Sequence, residues 1–114
     1  MNVESFQTHC LSKKGVTEEF PFSEDVLVYK VLGKMFALTS LSGEIFKISL
    51  KCDPELALQL REEYDCVQPG FHLNKKHWNS VVIDGTVKDS QLREWIDHSY
   101  DLVVESLPRK LREG

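Results

Sequence analysis

The chain has 114 residues and a formal net charge of −4, with 41% hydrophobic and 28% charged residues. That length suits one domain able to bury a core without disulfides, the composition excludes disordered and collagen-like classes, and the sequence shows no internal repeat. No apolar run approaches the roughly 18 to 20 residues that cross a bilayer, and the start MNVESFQTHCLSKKG carries no secretory pattern, so a cytoplasmic protein is expected.

In chain order, Asn2 is placed to cap a first helix in which Val3, Phe6 and Cys10 share one stripe, and Gly15 is expected to end it. Lys13 and Lys14 stand near the negative end of its dipole. Thr17 to Phe22 sets two aromatic rings around Pro21, which predicts an edge strand or a fixed loop.

From Asp25 to Lys51 the pattern has period two, and it predicts three antiparallel strands in a meander with turns at Leu32-Gly33-Lys34 and Ser42-Gly43. Phe46, Ile48 and Leu50 fall on one face, and Ile45, Lys47, Ser49 and Lys51 on the other. Asp53-Pro54 opens a second helix reaching about Tyr64, with Leu56, Leu60 and Tyr64 inward and Arg61, Glu62 and Glu63 toward solvent. Pro69-Gly70 predicts a turn and Phe71 to Leu73 a short strand.

The densest local signal is Asn74 to Tyr100. Lys75, Lys76, His77 and Trp78 lead into the β-branched run Val81-Val82-Ile83, Asp84-Gly85 turns the chain, and a helix begins near Asp89. Leu92, Trp95, Ile96, Ser99, Val103 and Leu107 form its inner stripe until Pro108. The basic tail from Arg109 to Arg112 is expected to fray. The order helix, strands, helix, strand, helix predicts an α+β fold, a two-layer sandwich with an antiparallel sheet and helices on one face. Residues 1–114 form a single domain on this reading.

The blocks EEFPFSEDVLVYKVLGKMFAL, PGFHLNKKHWNSVVIDG and REWIDHSYDLVVESL, in this order over nearly the whole chain, resemble the MmcQ/YjbR family of small bacterial proteins. The resemblance implies a fold similar to the bacterial frataxin homologue and DNA binding through a double wing of hairpins. It supplies no catalytic residues. Lys14 departs from the family pattern, which often has Pro before the glycine that ends the first helix.

The overall acidity argues against nucleic acid, yet the charge is unevenly spread. Residues 26–51 and 66–83 carry six lysines against Glu44, a net +5, which leaves −9 for the rest of the chain. On strand alternation Lys30, Lys47 and Trp78 share the open sheet face, with cations for phosphates and an indole for stacking. Lys34 at a turn tip, and Lys75, Lys76 and His77 before the strand, complete the expected nucleic-acid-binding set. The plainer alternative is that strand lysines guard against edge aggregation and that Trp78 fills core or rim.

A protein-interaction adaptor using the open face around Trp78 and Tyr29 is the second reading. No catalytic residues, cofactor or metal are expected: His72, His77 and His98 lack metal-ligand spacing with Cys66 or Asp84, the first helix lacks an acidic ridge, and adjacent His9 and Cys10 diverge by about 100° on a helix. The three cysteines, Cys10, Cys52 and Cys66, are an odd number and are expected to be reduced and buried. A monomer is expected.

Overall fold

Packing of alternate strand residues against helical stripes explains the arrangement seen in the computed structural model, which describes residues 1–113. The elements are α1 (Val3–Leu11), β1 (Val16–Glu19), β2 (Val26–Val31), β3 (Lys34–Ser40), β4 (Lys47–Lys51), α2 (Pro54–Glu63), β5 (Val67–Pro69), β6 (Trp78–Val82), α3 (Asp89–Ser106) and α4 (Arg109–Glu113). The strands form one antiparallel sheet in the order β1-β2-β3-β4-β6-β5. This is the expected α+β sandwich.

Register fixes the two faces. Tyr29 pairs with Ala37, Ala37 with Leu50, Ile48 with Val81 and Val81 with Val67. All of these are buried in one core with Phe6 and Cys10 of α1, Ala57 and Leu60 of α2, and Leu92, Trp95, Ile96 and Val103 of α3. Edge-to-face ring pairs Phe6–Tyr29, Phe36–Tyr100 and Tyr64–Trp95, with centroids 5.5, 5.4 and 5.1 Å apart, tie the helices to the sheet and to one another. Each such pair adds about 0.5–1.5 kcal/mol beyond area burial. The opposite face carries Val28, Leu38, Ser49 and Ser80 in register, with Lys47 facing Val82 and Lys51 facing Trp78.

A register shift between Tyr29 and Lys30 leaves Phe36 without a strand partner. Beyond the Ala37–Leu50 pair the β3–β4 ladder is completed by a side chain from α3. The Lys51 amide donates to Ser99 Oγ at 2.9 Å, and Ser99 Oγ donates to the Phe36 carbonyl at 2.5 Å. Both backbone groups are thereby satisfied where the strands separate.

Helix ends follow local chemistry. Asn2 and Ser5 form a reciprocal capping box on α1, and Asp53 Oδ2 accepts the Leu56 amide at 3.2 Å with Pro54 at the first position of α2.

Four expectations are corrected. Helix α1 stops at Leu11 with Ser12 as its cap, and Gly15, at φ 77°, instead shapes the turn into β1. The strand near Pro69 lies before it, at Val67–Pro69, because the edge position tolerates a residue without an N–H; Phe71 to Leu73 is a turn. The basic tail forms the short α4, with the Pro108 carbonyl accepting the Leu111 amide at 2.9 Å. Arg61 does not face solvent. Its Nε donates to Asn79 Oδ1 at 2.7 Å, and its terminal nitrogen reaches the carbonyls of Lys75 and Trp78.

Candidate functional site

The open sheet face forms the floor of a groove of about 670 Å³. Val26, Leu38, Ser40, Lys47 and Ser49 come from β2, β3 and β4, while Phe22, the turn Ser42–Ile45 and the loop Phe71–Leu73 make the walls. Phe22, Ile45 and Phe71 are 64%, 65% and 61% exposed. Large apolar side chains grouped in a concavity, and not scattered singly, are the mark of a binding surface.

Each wall is held by identifiable bonds. The Leu41 amide donates to the Asp25 carbonyl at 2.6 Å, joining the Phe22 segment to the β3–β4 turn. The loop from Gly70 to His77 folds over the β4–β6 end of the face. Its Phe71 amide donates to Ser80 Oγ at 3.0 Å, and Ser80 Oγ also bonds Ser49 Oγ at 2.8 Å. Asn74 Oδ1 accepts the amides of Lys76 and His77, and Lys75 Nζ donates to the Gly70 carbonyl at 2.8 Å. A Cβ on Gly70 would stand 2.7 Å from Trp78 Cβ, so only glycine permits this close approach. His72 adopts φ 59°, a backbone region sparsely used by residues other than glycine. The Lys47 ammonium lies 4.9 Å from the Phe71 ring centroid.

The residues expected to bind nucleic acid divide into groups. Lys47 lines the groove. Lys30 shares the open face but pairs with Glu19 at 3.4 Å. Lys34 is exposed at the β2–β3 turn, Lys76 is exposed in the covering loop, and Lys75 is turned back on its own loop. His77 is half-buried, and its carbonyl accepts the Cys52 amide at 2.8 Å. Trp78 lies on the open face but is only 8% exposed, so its ring offers no broad stacking surface. Tyr29, assigned to the open face in the adaptor reading, is fully buried in the helix-side core, where its hydroxyl donates to Glu18 at 3.1 Å. Strand alternation with Leu27 and Val31 accounts for that placement.

Phe22, Ile45 and Phe71 were not among the expected site residues. For Phe22 and Phe71 the available signal was an aromatic residue directly after Pro21 and after the Pro69-Gly70 turn; for Ile45 it was its place on the same strand face as Lys47.

The cysteines are free and buried. Burial pushes the Cys10 thiol up to about 12 and the Cys52 thiol up to about 11, so both stay protonated near neutrality. Among the described residues no group of three or more His, Cys, Asp or Glu side chains is placed to hold a metal ion, and no helix is long and apolar enough to cross a membrane.

A family model described as YjbR matches residues 11–102. The chain belongs to the YjbR family. It is 34% identical over 113 residues to the uncharacterized protein YjbR of Escherichia coli K12, covering 99% of this chain and 96% of that one. A second relative, the uncharacterized protein YbdF of Escherichia coli O157:H7, is 37% identical over 91 residues, 80% of this chain and 75% of the relative. Among solved structures, the Deinococcus radiodurans protein DR2400, with the domain DUF419, matches at a TM-score of 0.92 and 38% identity over 98% of this chain and 86% of that one. A Pseudomonas syringae protein matches at 0.77 and 26% identity, over 90% and 98%. The expected YjbR membership and α+β fold are thus borne out.

Proposed function

We propose that this YjbR-family chain is a protein-interaction module without catalytic activity, and that the open-face groove receives apolar side chains from its partner. The observation that carries this reading is the cluster of Phe22, Ile45 and Phe71, each more than 60% exposed around one concavity of about 670 Å³. Ordinary surface leucines and phenylalanines are isolated; a grouped set around a preformed hollow gains free energy when water is displaced by apolar side chains. A single lysine among the lining residues, set against Glu44, gives weak support for phosphate binding inside the groove.

DNA binding is the second reading. It is favoured by the exposed Lys34 and Lys76 and by the net +5 of the strand segments. The two readings separate in one experiment. Nuclease-treated lysate is passed over the wild-type chain and over a variant carrying Ile45→Ser and Phe71→Ser, while duplex DNA is titrated into both at low salt. A protein retained only by the wild type, with no duplex binding at micromolar protein, supports the interaction module. Salt-dependent duplex binding that survives the double substitution and is lost in Lys34→Glu/Lys76→Glu overturns it in favour of DNA.

A further inference from the structure

Resting on the reading of the groove as a protein-binding site, we propose that the side chain anchoring the partner protein in it is a tyrosine, whose phenol oxygen accepts a hydrogen bond from Ser49 Oγ on the groove floor. Three features select that side chain.

The first is an unspent hydrogen. Ser49 Oγ and Ser80 Oγ lie 2.8 Å apart, and Ser80 Oγ also accepts the Phe71 amide at 3.0 Å. Ser80 is fully buried, and among the described residues Ser49 Oγ is the one acceptor within its reach. Ser80 therefore donates to Ser49, because the reverse arrangement leaves a buried hydroxyl hydrogen without an acceptor, at a cost of about 1–3 kcal/mol. Ser49 keeps its own hydrogen, lines the groove and is 8% exposed. The other lining hydroxyls are committed. Thr39 donates to the Lys47 carbonyl at 2.7 Å, and Ser40 and Ser42, both open to water, bond each other at 3.1 Å. A largely apolar hollow thus has one buried donor on its floor, and it calls for an acceptor.

The second is charge. The lining carries one lysine, Lys47, and one carboxylate, Glu44, which balance; Glu24 and Asp25, in the segment after Phe22, are exposed and outside the lining. An ionised side chain entering a hollow with no net opposite charge loses its hydration without compensation. The acceptor that meets Ser49 is therefore an uncharged one, which sets aside aspartate, glutamate and phosphate.

The third is the wall. Phe22, Ile45 and Phe71 rise around the floor, and the Phe71 and His72 rings stand 4.1 Å apart between centroids. Aromatic walls favour an aromatic guest packed edge to face or offset. Among uncharged side chains with an acceptor oxygen, serine, threonine, asparagine and glutamine have little apolar body, and tryptophan ends in a donor that Ser49 cannot use. Tyrosine joins an aromatic body to a terminal hydroxyl.

The test titrates N-acetyl-tyrosinamide, N-acetyl-phenylalaninamide and N-acetyl-O-phosphotyrosinamide to millimolar concentration into the whole chain and follows NMR shifts of Leu38, Ile45, Ser49 and Phe71. The expected result is that the tyrosine compound shifts these groove residues and binds about tenfold more tightly than the other two, the margin of one well-made hydrogen bond. That margin over phenylalanine should vanish in Ser49→Ala and persist in Ser49→Thr, which keeps the hydroxyl. The comparison of compounds on the wild-type chain stands even where Ser49→Ala loosens the fold. Groove shifts with phenylalanine bound as tightly as tyrosine overturn the tyrosine anchor while leaving the groove as an apolar protein site. Phosphotyrosine bound as tightly as tyrosine overturns the uncharged acceptor. No groove shift from any compound overturns the proposal, and the Ile45→Ser/Phe71→Ser lysate comparison then decides the groove reading separately.

Discussion

The ammonium of Lys47 and the ring of Phe71, 4.9 Å apart, join the middle of β4 to the loop that walls the groove. An exposed cation–π contact of this kind contributes about 0.5–1 kcal/mol. Phe71 is otherwise largely in solvent. Phe71→Ala is therefore expected to change folding stability by less than about 1 kcal/mol in urea titration while removing partner binding. Loss of stability in step with loss of binding would assign the ring to the fold.

Ser99→Ala has the opposite profile. The hydroxyl serves both the Lys51 amide and the Phe36 carbonyl inside the sandwich, and alanine leaves these groups without it. An unsatisfied buried group costs about 1–3 kcal/mol. The midpoint of urea unfolding should fall clearly with an unchanged slope, and amide exchange at Lys51 should speed up. An unaltered midpoint contradicts the role given to Ser99.

Gly70→Ala tests the loop. The added methyl meets Trp78 Cβ at 2.7 Å and the Trp78 carbonyl at 3.1 Å, and neither neighbour is a flexible side-chain end. The loop from Gly70 to His77 must move, at a cost of about 1–3 kcal/mol. Trp78 should become more exposed, seen as a red shift and increased quenching of the tryptophan fluorescence. A spectrum identical to the wild type is the adverse outcome.

Asp97 gives the chain an acid-sensitive contact. Burial raises its carboxyl pKa, but hydrogen bonds from Lys13 at 2.6 Å and His9 at 2.7 Å outweigh burial and hold it below the usual range. A depressed carboxyl stabilises the fold above its unfolded value of about 3.8, and that contribution disappears as pH falls through the lower folded value. The carboxylate is 44% exposed, so the effect is small. Asp97→Asn should lower stability slightly at neutral pH and leave a shallower loss below pH about 4. Parallel acid unfolding curves for the two proteins would remove Asp97 from the explanation.

Cys10 supplies a chemical measure of integrity. Its thiol is fully buried and pushed up to about 12, so the thiolate needed for alkylation is scarce in the native chain. Iodoacetamide at mildly alkaline pH should leave Cys10 unmodified until denaturant is added. Rapid native labelling would show that α1 detaches readily.

Much of the fold is written locally. The Asn2 and Asp53 caps, the period-two run from Val26 and the stripe from Leu92 to Val103 each specify one element and its inner face. What local pattern does not carry is the behaviour of loops. Alternation placed Trp78 on the open face, and so it lies, but the chain returning from β5 covers it. Tyr29 shows the converse: it stands in step with Leu27 and Val31, and it is buried with them in the core. The groove depends on three connections that meet only in three dimensions, so no spacing along the chain could announce it.

Arg61 grows from α2 on the helix side of the sheet, yet its guanidinium holds the carbonyls of Lys75 and Trp78 at the root of the groove wall. Front and back of the sandwich thus share a mechanical tether that passes around the β5–β6 border. Under the proposed function, a partner settling against Phe71 pulls on the same anchor that fixes Asn79 and, through the Asn79 amide, the Ala57 carbonyl in α2. Occupancy of the groove should consequently be legible from behind, as altered amide signals along α2, and cutting the tether with Arg61→Leu should silence those signals while those of β3 remain.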